Sequence, residues 1–122
     1  MDAAGRAAHI ERVLSHLASD VDIAACALVS DDGLLLGSTL DPSSESPIGE
    51  PTVAFFRRAL EVTRGLMLGN LREITLRGES GHAMFVRAGP ERMLVAVTRP
   101  EATLALAVLN ARHAARALSE AR

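Results

Sequence analysis

The sequence predicts an α+β fold, with one antiparallel sheet covered by helices on both faces. Three observations predict it. Three stretches repeat apolar residues at helical spacing, five short runs read as strands between turns, and two of those runs are apolar on both sides. A strand that is apolar on both sides must be covered twice, so the helices cannot all lie on one face. The 122 residues are expected to form a single domain, residues 1–122, able to bury a core without disulfides or metal.

The first helix is predicted from Ala3 to Ala18, where Ile10, Val13, Leu14 and Leu17 follow the i, i+3, i+4, i+7 pattern. His9 and His16 lie on one flank of that stripe. A metal-binding pair on a helix needs i, i+4 spacing and a further ligand, so these are expected to be solvent-edge histidines.

Ile23 to Ser30, Asp31-Asp32-Gly33 and Leu34 to Thr39 read as a hairpin. Glycine after aspartate takes positive φ without steric cost, and apolar runs flank the pair. Ile23, Ala25, Ala27 and Val29 are expected on one face, with Ala24, Cys26 and Leu28 on the other. Asp31 and Asp32 are expected to be exposed turn carboxylates, and Cys26, the lone cysteine, a small buried thiol. Asp41 to Glu50, with its prolines and serines, reads as a mobile loop.

The helix predicted from Pro51 to Leu68 organises the rest. Pro51 or Thr52 opens it and Gly69-Asn70 closes it. Phe55, Ala59, Val62 and Leu66 form one stripe; Val53, Phe56, Leu60, Thr63 and Met67 form a second. Together they cover roughly half the circumference, wider than the arc of about 100° that one core requires. Arg57, Arg58, Glu61 and Arg64 occupy the wet side. The second stripe asks for a partner, either a second copy of the chain or another helix of the same one.

Leu71 to Arg77 alternates polar and apolar residues, as an outer strand does. Ser80-Gly81 turns the chain into His82 to Ala88, and Gly89-Pro90-Glu91 turns it into Met93 to Thr98, which is apolar on both sides. Pro100 to Ala121 predicts the last helix, with Pro100 and Glu101 in its first turn, Arg112 and Arg116 toward its end, and Leu104, Val108, Ala111, Ala115 and Leu118 facing inward. The order is α-β-β-α-β-β-β-α around a five-stranded antiparallel sheet.

Signals for chemistry are sparse. The net charge is −2, every basic residue is arginine, and Phe55, Phe56 and Phe85 are the whole aromatic set. Nucleic-acid readers carry a clustered basic face or stacking aromatics, so that partner is not expected. There is no secretory signal and no membrane-spanning run, which points to a cytoplasmic protein without membrane insertion. Gly78-Glu79-Ser80-Gly81 approaches a nucleophile elbow, but its second glycine comes one residue early and its context is a hairpin. Phosphate-binding glycine loops are missing too. His82 and His113 have no neighbouring ligands at metal spacing. No catalytic residue, cofactor or metal is expected, and the chain reads as no enzyme.

ALVSDDGLLLGST at Ala27 to Thr39 and LREITLRGESGHAMFVRAGPERMLVAVT at Leu71 to Thr98 resemble the Roadblock / dynein light-chain family, as does EATLALAVLNAR in the last helix. The resemblance runs from His9 to Leu118 and is closest to the stand-alone prokaryotic type. It implies one helix on one face of the sheet and two on the other, a profilin/longin-like layer sandwich. It also implies a homodimer, or a heterodimer with a paralogue, joined through the central helix and the strand after it. The interface would then involve Phe55, Ala59, Val62, Leu66, Glu73, Thr75 and Arg77. Family members act as adaptors or regulators of small Ras-like GTPases, in some bacteria as GTPase-activating partners. The expectation is a non-catalytic regulator of such a GTPase, with Arg57, Arg58 and Arg64 as contact candidates, since an arginine supplied in trans stabilises a transferring phosphoryl group. The alternative is a small-ligand-sensing domain of a signalling system.

Overall fold

The computed structural model describes residues 2–41 and 48–120. The elements are α1 (Ala3–Ala18), β1 (Ile23–Ser30), β2 (Leu35–Ser38), α2 (Gly49–Gly65), β3 (Glu73–Gly78), β4 (Gly81–Arg87), β5 (Arg92–Thr98) and α3 (Leu104–Ser119). The five strands form one sheet in the order β2-β1-β5-β4-β3, and every neighbouring pair is antiparallel. The predicted order and architecture are therefore observed, with β5 in the middle and β2 and β3 at the edges.

Alternation along the strands divides the core in two. On one face, Ile10, Leu14 and Leu17 of α1 and Ala107, Ala111, Ala115 and Leu118 of α3 pack over Cys26, Leu28, Met84, Leu94 and Ala96. On the other, Val53 and Phe56 of α2 pack over Val29, Phe85, Met93 and Val95. This is the arrangement of one helix against two. Ile23 departs from its expected face and joins Cys26 and Leu28 under α1 and α3. The cause is an irregularity in the β1–β5 register between Ile23 and Ala25, since a one-residue slip turns a side chain to the opposite face.

Asp2 caps α1, its Oδ1 accepting a 2.7 Å hydrogen bond from the Gly5 amide. Cys26 is 1% exposed, and its thiol donates to the Leu14 carbonyl at 3.3 Å, tying β1 to α1. Burial pushes that thiol above its ordinary pKa, while a hydrogen bond from Thr39 pulls the other way.

The ends of α2 differ from expectation. It opens at Gly49, so Pro51 sits within the first turn rather than starting it. Gly49 lies so close to the β1–β2 turn that a Cβ there would overlap the Gly33 carbonyl oxygen, which fixes this end of the helix. The rest of the expected mobile loop, 42–47, lies outside the described residues. At the other end, α2 stops at Gly65 and closes in a Schellman motif. Met67, at φ 60°, takes the left-handed position, with Leu68 N donating to Thr63 O and Met67 N to Arg64 O, each at 3.0 Å. Gly69-Asn70 thus follows the cap instead of forming it. The last helix also begins later than expected. Pro100 and Glu101 lie in a turn that Ala102 N closes on Arg99 O, leaving no acidic residue in the first turn of α3.

Candidate interaction surface

Helix α2 crosses the sheet from the β1–β2 turn toward β3, and its stripes leave the core in turn. Phe56 is 2% exposed, and Val53 is buried beside it. Phe55 is half-buried and meets Phe85 edge-on, with centroids 5.3 Å apart and planes at 68°. Ala59 and Leu60 are half-buried one turn further on. Val62 and Leu66 are then 61% and 65% exposed, and the cap adds exposed Met67 and Leu68. The stripe of Phe55, Ala59, Val62 and Leu66 therefore starts against the sheet and ends in the open.

The edge strand β3 carries apolar residues on the same side of the sheet. Along β3, Ile74 packs on the α2 side of the sheet, and Leu76, two residues on and 44% exposed, points the same way. Leu76 pairs across the sheet with Ala83, and Ala83 with Val97. These three line a shallow groove of about 500 Å³ that α2 leaves uncovered. The outer side of β3 pairs with no described strand.

Glu73, Thr75 and Arg77 belong to the opposite face. Glu73 faces α3, where its two carboxylate oxygens accept hydrogen bonds from Arg112 Nε and Nη2 at 2.7 and 2.9 Å. That pairing raises the Arg112 pKa, through the hydrogen bonds first and the carboxylate's charge second. Thr75 and Arg77 are exposed. The β3 side chains on the α2 side of the sheet are thus Ile74 and Leu76, whereas Glu73, Thr75 and Arg77 lie on the α3 side. The signal was present in the alternation itself, as two apolar residues on the half of an outer strand that faces a helix.

The three candidate arginines are exposed but differently occupied. Arg58 Nη1 lies 3.3 Å from Glu61 Oε2, and Arg64 donates to Asn70 Oδ1 at 3.2 Å. Arg57 borders a small cleft with Asp31, Phe56, Leu60 and Arg87. In that cleft Arg87 Nη1 donates to Asp31 Oδ1 at 2.8 Å, and the guanidinium lies 4.8 Å from the Phe56 ring centroid. Asp31 is therefore half-buried in an ion pair, rather than the exposed turn carboxylate expected, whereas Asp32 is exposed as expected. Ser80 lies at the tip of the β3–β4 hairpin, where Gly78 pairs with Gly81.

Among the described residues, no helix is long and apolar enough to cross a membrane. The Roadblock/LC7 domain pattern matches residues 9–98. Two Methanocaldococcus jannaschii proteins, MJ0310 and MJ1340, are each 31% identical over 107 residues, covering 87% of this chain and 93% of their own. Myxococcus xanthus MglB superposes with a TM-score of 0.86 at 16% identity, covering 93% of this chain and 87% of that one. An MglB described as having a tetrameric arrangement superposes at 0.83 with 18% identity, covering 98% and 91%.

Proposed function

The chain belongs to the Roadblock/LC7 family, and from that premise we propose that it is a non-catalytic, dimeric regulator of a small Ras-like GTPase. One observation carries the reading. Val62 and Leu66 stand exposed on α2, and on the same side of the sheet β3 carries Ile74 and Leu76 along an edge that pairs with no described strand. Exposed apolar side chains on the same side of a sheet as a free strand edge are a place where a protein partner docks. A second copy set against it would extend the sheet through β3 and pack α2 against α2. The tetrameric arrangement described for an MglB of the same fold is consistent with self-association.

A pair of α2 helices would present Arg57, Arg58 and Arg64 on an outer surface, where a GTPase can meet them. Of these, Arg57 is the arginine beside the Asp31–Arg87 cleft. The protein works in the cytoplasm and takes no cofactor. The test combines the purified protein with the small GTPase encoded closest to it in the genome, following binding, GTP hydrolysis and nucleotide exchange. Micromolar binding with an altered rate is expected, weakened by Arg57→Ala. No binding, and both rates unchanged, contradicts the proposal.

A further inference from the structure

Helices α1 and α3 run antiparallel, and between them lies a cleft of about 340 Å³ facing away from the sheet. Its two ends are tied. At one, His9 Nε2 donates to the Ala117 carbonyl at 3.1 Å; at the other, Asn110 Nδ2 donates to Asp20 Oδ2. The second oxygen of Asp20 accepts from the Asp22 amide at 2.8 Å, so that carboxylate is committed on both sides. Between the ties, the side chains of Arg12, His16 and His113 border the cleft, and none has a hydrogen bond or ion pair with another described residue. The floor is apolar, made by Val13, Leu17, Ala114 and Ala117.

This arrangement is built from spacing on two helices. His9, Arg12, Val13, His16 and Leu17 share one face of α1, and Asn110, His113, Ala114 and Ala117 share one face of α3. The alanines keep the floor low, so the cleft stays open where longer side chains would fill it. Its volume is at the small end of the range of roughly 300–1,000 Å³ for ligand sites. Among the described lining residues, the uncommitted polar groups are one guanidinium and two imidazoles, all capable of donating, and the only carboxylate, that of Asp20, is occupied. Three or more metal-ligating side chains do not converge anywhere among the described residues, so the histidines are not arranged as a metal cage.

We propose that this cleft binds a small organic anion, a compact apolar body carrying a carboxylate or a phosphate. The apolar part would rest on Val13, Leu17 and Ala114, and the anionic group would accept hydrogen bonds from Arg12, His16 and His113. The cleft lies on the opposite face of the sheet from α2, so the site stands or falls independently of GTPase regulation.

The test follows the His16 and His113 imidazole resonances of the intact protein during titration with benzoate, phenyl phosphate and inorganic phosphate. Saturable shifts with one or both aromatic anions, and clearly weaker binding of inorganic phosphate, are expected. The preference between benzoate and phenyl phosphate identifies which anionic group the site takes. Arg12→Ala and His113→Ala should each weaken binding about tenfold, the loss of one charge-assisted hydrogen bond. Ala117→Leu should abolish binding by filling the cleft while the circular dichroism spectrum stays native. Absence of saturable shifts with either aromatic anion overturns the proposal. So does inorganic phosphate binding as well as phenyl phosphate, or retention of full affinity in the Arg12 and His113 variants.

Discussion

Arg112 of α3 grips Glu73 of the edge strand β3 with two hydrogen bonds, Nε to Oε1 at 2.7 Å and Nη2 to Oε2 at 2.9 Å. This pair crosses from helix to strand at the edge proposed to meet a second copy. It holds Glu73 on the α3 side and leaves the α2 side of β3 to Ile74 and Leu76. A double-mutant cycle on Glu73→Gln and Arg112→Gln in urea denaturation should show favourable coupling at low salt. Because the pair is solvent-accessible, that coupling should shrink as salt is added. Coupling that ignores salt would mean that packing, not charge, joins α3 to β3.

Phe56 is the anchor of the single-helix face, 2% exposed and lying beneath the Arg87 guanidinium. Phe56→Ala should destabilise the chain by about 3–5 kcal/mol, as large aromatic truncations in a core do. Asp31→Ala should cost less, since it removes only the partner of a half-exposed arginine that still rests on the ring. Denaturation midpoints of the two variants check the order.

Two glycines of α2 should respond in opposite directions. Nothing lies within 4 Å of the space a Cβ would take at Gly65, so Gly65→Ala should stabilise by about 0.5–1 kcal/mol through backbone entropy. Gly49→Ala would drive a methyl group into the Gly33 carbonyl and should destabilise, pushing α2 away from the β1–β2 turn. Thermal melts of both variants measure this directly.

Cys26 supplies a pH dependence. Its thiol pKa is raised in the folded chain above the ordinary 9.0. The folded state therefore keeps a proton that the unfolded state loses, and stability falls as pH rises from below 9.0 toward the folded value. Compared with Cys26→Ala, the native chain should lose stability more steeply across that alkaline window. The thiol should also resist a disulfide reagent at neutral pH until the chain unfolds.

Periodicity made much of this molecule legible. The bounds of α1 and β1, the Asp32-Gly33 hairpin and the two apolar stripes of α2 all follow from local spacing, and local spacing is what a sequence displays. The departures share a different origin. Ile23 changes face because of a register irregularity against β5, which depends on a strand about 70 residues away. The end of α2 was hidden because Met67 takes a left-handed position usually given to glycine. The Asp31–Arg87 pair joins residues 56 apart, and the His9–Ala117 tie joins residues 108 apart. Neither the small cleft beside Arg57 nor the cleft between α1 and α3 could be read before the helices were packed. In the interaction surface, the exposure of Val62 and Leu66 followed from the helical wheel. Leu76 required knowing which face of β3 shares a side with α2.

Self-association through the open end of α2 and the edge of β3 is tested most directly by sedimentation equilibrium on the native chain and on Val62→Glu. The native chain should sediment at about twice the 12.9 kDa subunit mass, and the variant at the subunit mass with its circular dichroism unchanged. A well-folded native chain that stays at the subunit mass at high concentration, or a variant with the same mass as the native protein, would contradict it.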